Sequence, residues 1–312
     1  MKLIRKNWFL VALMVTLLAG YHCSEPLSWL SSLNWLKWST VAVTMFLMAW
    51  PLAFGSLQRT ISRPVAPLLA CLLNSAVIPL IVWPLVRGVG GDLGAGMMIA
   101  AATPCTLASA AVWTRRAGGD DSVAIMVTIL TNASCFLVMP FWIFMQTGNS
   151  IEPNVLTGTI YNLFFFVVLP IAAAQLVRLN PTAAAWATAQ KSRLSSLALF
   201  GVLTMVFIGA ISMGLRMGEL DRALSVASIA LIAVLVLGVH GAVFWGGMGV
   251  AKLLGLPREQ QIAVGFSGSQ KTLMIGLTVS ISLGMSIIPI VLYHAIQLIV
   301  DTIFADWIRE TG

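Results

Sequence analysis

Lys271 is the only charged residue in the 41-position stretch 260–300. A charge near the centre of a membrane helix costs roughly 2.5–3.5 kcal/mol on insertion scales, so it needs partners or water. An ammonium offers three donors and no acceptor, which calls for carbonyls, hydroxyls or a carboxylate around it. Two chemistries suit such a group: a fixed counter-charge for an anion, or a proton carrier coupled to an ion gradient. A third reading is structural, a lysine that ties two irregular segments together.

Candidate partners are Thr103, Thr106 and Ser109 in one apolar run and Thr128, Thr131 and Asn132 in the next. Thr128 and Asn132 are four apart and share a helical face. No carboxylate is expected at that depth, because Asp92, Asp120, Asp121, Glu152 and Asp301 all fall near the ends of apolar runs, Asp301 at the interface. Gln270 and Asn74 each bring a donor and an acceptor, and either serves as a ligand or as interhelical glue. His240 and His294 are the remaining titratable groups and are expected to be hydrogen-bonded packing histidines. Gly265-Phe266-Ser267-Gly268 matches a short G-x-S-G pattern, and with His294 as base it defines an alternative, an intramembrane serine hydrolase. The pair Asp120-Asp121 has no second acidic cluster to complete a metal site.

The elements that position these residues follow from composition. The chain has 312 residues, 59% hydrophobic and 9% charged, with a mean hydropathy of +0.93. Soluble domains carry roughly 25% charged residues, so a soluble fold is excluded. Uncharged runs at 7–24, 38–58, 64–86, 93–114, 122–151, 153–177, 194–215, 223–251 and 260–300 are long enough for membrane spans, the last for two with a turn near Gly284. The expectation is an all-α membrane protein of ten transmembrane helices, a single domain over 1–312.

With the N-terminus inside, thirteen Lys and Arg residues fall on the cytoplasmic side, Lys2, Arg5, Lys6, Arg59, Arg63 and Arg178 among them. Lys37, Arg87, Arg216 and Arg222 fall outside. That bias places both termini in the cytoplasm of an inner or plasma membrane. It also explains the net charge of +7 as topology, with a lipid bilayer and not nucleic acid as partner. The apolar run from Trp8 to Tyr21 follows a basic start without an A-x-A-like cleavage site and is expected to be retained as the first helix. Cys23, Cys71, Cys105 and Cys135 are too far apart to form a metal motif. Trp29, Trp35, Trp38, Trp142 and Trp307 are expected in an interfacial belt.

Five spans per half force the second half to insert upside down, giving two inverted five-helix repeats at about 7–150 and 153–308. Span four carries Thr103-Pro104-Cys105-Thr106-Leu107-Ala108-Ser109 and span nine Ser267-Gly268-Ser269-Gln270-Lys271-Thr272. Each is a polar or helix-breaking interruption at the fourth position of its half. Pro104 removes a donor and Gly268 weakens the helix, so discontinuous crossing helices four and nine are expected, and such pairs mark transporter substrate sites.

Several of these segments together resemble the bile acid:sodium symporter family, in its SBF-like branch. They are P-x-x-x-A-S in span four, Gly118-Gly119-Asp120 before span five, Arg63-Pro64-Val65-Ala66 before span three, and Gly268-Ser269-Gln270 in span nine. The resemblance implies a panel and a core domain that rock for alternating access, and a small organic anion as substrate. It implies no enzyme activity and no cofactor beyond coupling Na+ or H+. Carried over position by position, Ser109, Thr128 and Gln270 are kept, and Asn74 stands where the family has a Gln, leaving a sodium site at Asn74 and Gln270. The family's Asn after the span-four serine is Ala110 here, its span-five serine is Ala124, and its span-nine acid is Phe266. Lys271 stands where the family has Asn. A cation site without its carboxylate and with an added ammonium suggests that Lys271 replaces the first sodium. Two unit charges at about 8 Å and an effective dielectric near 20 repel by about 2 kcal/mol, which disfavours a second cation nearby. Coupling then runs through sodium at the remaining site or through protonation of Lys271. A non-transporting membrane scaffold is the other alternative, and the sequence sets no oligomeric state.

Overall fold

The computed structural model describes residues 8–53, 64–89, 91–148, 152–216 and 225–311, and every regular element among them is helical. Lys2, Arg5, Lys6, Arg59, Arg63 and Arg222 lie outside the described residues. In chain order the helices are α1 (Trp8–His22), α2 (Ser28–Ser32), α3 (Asn34–Ala49), α4 (Val65–Val89), α5 (Gly91–Ala102), α6 (Ser109–Arg116) and α7 (Asp121–Thr147). They continue with α8 (Pro153–Val177), α9 (Pro181–Ala189), α10 (Lys191–Leu215), α11 (Val226–Leu253), α12 (Arg258–Ser269), α13 (Leu273–Ser282) and α14 (Ile288–Thr311).

Six of the described helices, α4, α7, α8, α10, α11 and α14, have 24 to 28 residues and are apolar enough to cross a bilayer. At 1.5 Å per residue each exceeds the roughly 30 Å hydrocarbon core. The sequence punctuates them. Asp120 accepts from the Ser122 amide at the start of α7, and Ser225 accepts from the Ser228 amide at the start of α11. Pro153 opens α8, where a missing N–H is harmless. Gly284, at φ +64°, makes the turn between α13 and α14, a conformation in which a Cβ is strained.

Two layers form. In one, α1 lies along α10, which also packs on α3, and α8 packs on α3. Gly20 permits the first contact, since a Cβ there would sit 2.7 Å from the Phe207 carbonyl oxygen. Gln175 of α8 and Arg178, its C-cap, donate to the carbonyls at the end of α3, those of Ala49 (2.7 Å) and Trp50 (2.9 Å). In the other layer α4, α7, α11 and α14 surround two pairs of short helices, α5/α6 and α12/α13. The layers meet where α10 reaches α13.

Helix ends far apart in the sequence touch one another. Arg216, after α10, pairs with Asp92 of α5 at 2.9 Å and donates to the Gly284 carbonyl. Arg116, ending α6, forms a two-pronged pair with Asp306 of α14 at 2.8 Å per bond, and the Asp120 amide donates to Glu259.

Two local expectations need correction. Trp142 is buried at 6% exposure and its ring N–H donates to the Ser75 carbonyl (2.8 Å), so it ties α7 to α4 and is no belt residue. Gly268 lies inside α12, two residues before its C-cap Gln270, and a Cβ there would sit 3.2 Å from Leu73, closer than ordinary van der Waals contact. The break is made by the residues after it.

Candidate functional site

α5 ends at Ala102 and α6 begins at Ser109, so the six residues between must place their peptide groups elsewhere. Pro104 supplies no N–H and disfavours helical backbone at Thr103. Span five answers from one face of α7. Thr131 Oγ1 accepts from the Cys105 amide (3.2 Å), Asn132 Nδ2 donates to the Cys105 carbonyl (2.9 Å), and Thr128 Oγ1 donates to the Thr106 carbonyl (2.9 Å). Thr106 Oγ1 accepts from the Ala110 amide at the start of α6 (3.0 Å).

The second break runs from Gln270 to Thr272 between α12 and α13, with Gln270 and Thr272 in extended backbone. The Thr272 amide donates to the Pro104 carbonyl at 2.9 Å, so the two breaks join directly, backbone to backbone. Gln297 of α14 receives the Lys271 amide on Oε1 and donates from Nε2 to the Lys271 carbonyl, both at 2.8 Å. Asn74 Nδ2 donates to the carbonyls of Gln270 (2.8 Å) and Ser267 (3.4 Å), which α12 leaves free at its C-terminus. Tyr293 donates its hydroxyl to the Ser269 carbonyl (3.0 Å).

Lys271 is fully buried. Its Nζ donates to the Asn74 carbonyl (2.6 Å) and the Thr103 carbonyl (2.8 Å) and approaches Asn74 Oδ1 (3.4 Å). Three amide oxygens therefore surround its nitrogen. Asn74 lies in a π turn, Leu73–Val77, where the Ile78 amide bonds back to Leu73, and such widened turns are frequent at functional sites. Of the partners proposed for Lys271, the structure selects Thr103, through its carbonyl, and it adds Asn74, which was not among them.

Gln270 stands at the centre of a second network. Its Oε1 accepts from Thr106 (2.7 Å) and Ser109 (2.9 Å), and its Nε2 donates to Asp301 Oδ2 at 2.6 Å. Asp301 is fully buried and its Oδ1 lies 2.9 Å from His240 Nε2. The expectation of an interfacial Asp301, and of no carboxylate at the depth of the break, is overturned. The uncharged run ends at residue 300, but α14 continues to Thr311, so Asp301 sits well inside its helix.

Beside the breaks lies a cavity of about 240 Å³. The first layer lines it with Phe9, Met48, Leu199 and Val202. The broken helices and α14 contribute Thr106, Ser109, Thr272 and His294. Its wall is mainly apolar with a few converging polar groups, as small-molecule sites are.

Asn74, Thr106, Ser109, Gln270 and Lys271 thus come together, with Thr128 and Asn132 bracing span four from behind. His294 stands at the cavity, its Nδ1 3.0 Å from Gln297 Nε2. Ser267 differs: its hydroxyl donates to the Ala263 carbonyl one turn back (2.5 Å). It forms no nucleophile–base pair with His294. Gln297, Asp301 and Tyr293 are site residues that the sequence reading did not single out for this role.

A sodium ion binds through oxygens, and the side chains near Asn74 and Gln270 do not offer a free set. Gln270 Oε1 already accepts two hydroxyls and its Nε2 faces Asp301. Asn74 turns its Nδ2 toward the two carbonyls an ion would use, and its oxygens face the Lys271 ammonium. As arranged, this donor set does not fit sodium.

The model of the SBF-like CPA transporter family matches residues 7–310. The chain belongs to that family. That family is described as one of transporters, and six of the described helices are long and apolar enough to cross a membrane. Among curated proteins the chain resembles a probable sodium/metabolite cotransporter of Arabidopsis thaliana, BASS4, chloroplastic, at 24% identity over 250 residues, covering 70% of this chain and 53% of that protein. It also resembles an uncharacterised protein of Pseudomonas aeruginosa, at 24% identity over 249 residues, covering 77% and 70%. The chain spans about half the length of the first and over two thirds of the second.

Proposed function

We propose that this SBF-like family member is a secondary active transporter of a small organic anion, working by alternating access about the crossed breaks of spans four and nine. The observation that carries the reading is the junction of the two breaks, Thr272 N–H on the Pro104 carbonyl, beside a buried ammonium that reaches across to Thr103. Discontinuous helices that meet at one point let carbonyls and amide groups face a solute where continuous helices would hide them.

Ten crossings in two inverted repeats, 7–150 and 153–308, are part of the proposal. Six are the long helices, α1 and α3 supply two, and the pairs α5/α6 and α12/α13 supply the broken fourth and ninth. Support comes from the chain ends: each pairing described above, Arg216 with Asp92 and Arg116 with Asp306, links segments that this alternation puts on one side. The thirteen-to-four division of basic residues favours cytoplasmic termini in an inner or plasma membrane.

The proposed transport site is the cavity wall of Thr106, Ser109, Thr272 and His294, with Asn74, Gln270 and Lys271 behind it and Thr128 and Asn132 as braces. The cavity lies between the two layers, so rocking one layer on the other would change its access while the break network stays assembled. Lys271 acts as a tethered cation at the crossover, and coupling by its protonation is favoured because its oxygens leave little room for an ion. A second reading, sodium coupling at Asn74 and Gln270, draws support from the name of the Arabidopsis relative and requires the Asn74 amide to turn.

The test is uptake of a panel of labelled carboxylates and sulfonates into proteoliposomes. Saturable uptake of at least one, reduced by a bulky Ser109→Phe change in the cavity wall, is expected. Absence of uptake for the whole panel, with folded protein confirmed in the same vesicles, would contradict the reading.

A further inference from the structure

α7 and α8 pack on each other as far as the π turn Phe164–Val168, where the ring of Phe164 lies 5.5 Å from that of Phe136. Past that turn the two helices part, and an apolar groove of about 430 Å³ opens between them. Ala133 of α7 and Ala172 of α8 leave the room, and Ile129, Ile171 and Leu176 supply much of the wall. Leu176 and Leu179 remain 67% and 77% exposed, so no part of the described chain covers this face. The groove also lies between the two layers, with α8 in the first and α7 in the second.

Its length fits one leaflet. The groove runs from Val168 to Leu179, and helical rise over that stretch covers about 16 Å. Half of a hydrocarbon core roughly 30 Å thick is about the same. One end therefore lies near the middle of the bilayer and the other at its surface, where Arg178 caps α8.

The surface end is basic. Arg178 donates from Nη1 to the Trp50 carbonyl (2.9 Å) and, at 3.5 Å, to the Thr188 hydroxyl near the end of α9. Its Nε and Nη2 hydrogens have no partner among the described residues. Three residues beyond Thr188 comes Lys191, and Lys191 and Arg193 both sit in the first turn of α10. Cations there oppose the helix dipole, whose positive end is at that N-terminus. No carboxylate among the described residues pairs with these three, and the sequence has no Asp or Glu between Glu152 and Glu219. Other arginines at helix ends are paired: Arg115 with Asp121, Arg116 with Asp306 and Arg216 with Asp92. Membrane topology accounts for cations on this side, but not for three without an acid beside a groove of leaflet length. Trp186 of α9 is half-exposed, its ring centroid 4.9 Å from that of Trp50, and such rings settle at the level of lipid headgroups.

We propose that this groove and its basic end form a binding site for an anionic phospholipid of the adjoining leaflet. One acyl chain lies between α7 and α8, and the phosphodiester sits beside Arg178, Lys191 and Arg193. Inside a bilayer an apolar groove gains little by exchanging one lipid tail for another. Selection therefore comes from charge at the surface end, as it does where basic pockets between membrane helices hold anionic headgroups. The bound lipid touches both layers. The proposal rests on the membrane placement of α7 and α8 and is independent of the substrate and of the coupling ion.

The test uses the full chain in detergent and two probes with the same tails, dioleoyl phosphatidylglycerol and dioleoyl phosphatidylcholine, with bound lipid counted by native mass spectrometry. Wild type should retain phosphatidylglycerol at a several-fold lower concentration than phosphatidylcholine, and this preference should shrink as ionic strength rises. Lys191→Gln combined with Arg193→Gln should abolish the preference. Ala172→Phe, which fills the groove from an exposed position, should weaken retention of both lipids several-fold. If a variant does not fold, the wild-type preference and its salt dependence decide. Equal retention of the two lipids by wild type, or phosphatidylglycerol retention that neither variant changes, overturns the proposal. A wild-type mass of two chains that Ala172→Phe reduces to one also overturns it, because a second copy would then cover the groove.

Discussion

Gln297 pairs with the Lys271 peptide as one strand pairs with another, accepting its N–H and donating to its C=O at 2.8 Å each. Both groups belong to a fully buried residue between two helices, where no helical partner exists.

Replacing Gln297 with Leu should therefore cost stability out of proportion to its size. Each buried backbone group left unpaired is worth about 1–3 kcal/mol. Thermal unfolding in detergent should show Gln297→Leu clearly destabilised and Gln297→Glu intermediate, since Glu keeps the acceptor for the amide and loses the donor for the carbonyl. A Gln297→Leu variant as stable as wild type would show that the break finds other partners.

Thr128 and Asn132 hold the span-four break from behind, outside the cavity wall. Thr128→Val and Asn132→Leu each leave one carbonyl of the break unpaired, at a cost of about 1–3 kcal/mol. Because both act on one segment, their effects should not add. Unfolding midpoints of the two single variants and the double variant measure this.

Ser267 should be nearly silent. Its hydroxyl bonds only to a carbonyl of its own helix that already has a helical environment, so Ser267→Ala is expected to change stability by less than about 1 kcal/mol. Uptake should persist. Complete loss of function with an intact fold would revive the serine hydrolase alternative.

Arg216 joins α10 of one layer to Asp92 and the Gly284 turn of the other. With both side chains about one third exposed, this pair contributes little to stability and is better placed as a latch. Within the second layer the turn that Arg216 grips is closely packed on α5, since a Cβ on Gly96 would fall on the Ser286 carbonyl oxygen. In a Cys23→Ser background, a cysteine placed at buried Ser286 should be labelled several-fold faster when Arg216 is changed to Ala. The charge exchange Asp92→Arg with Arg216→Asp should restore slow labelling. Equal rates in all three would remove the latch.

Much of this arrangement is readable in the sequence because charge is so scarce. Lys271 is conspicuous within 41 positions without another charge, and Pro104 marks its break by chemistry alone. Asp301 escapes the same method for a geometric reason: a cut at charges ends the run at residue 300, whereas the helix runs on to Thr311 with the carboxylate inside it. Gln297 escapes because an uncharged amide leaves no mark on a charge map, although its role is to complete the backbone at the most visible residue of the chain. Gly268 misleads in the opposite sense. A glycine weakens a helix in isolation, but here the α12 helix continues through it because Leu73 packs against its bare backbone. The π turn at Asn74 depends on tertiary contacts and has no pattern to read.

The central claim is that Lys271 is the tethered cation of the crossover and that coupling does not need sodium. Uptake of a transported carboxylate from the panel into proteoliposomes tests it most directly, with sodium, with choline in its place, and across an imposed pH gradient, for wild type and Lys271→Gln. The account predicts uptake without sodium, driven by the pH gradient and lost in Lys271→Gln. A strict sodium requirement that Lys271→Gln leaves unchanged would contradict it.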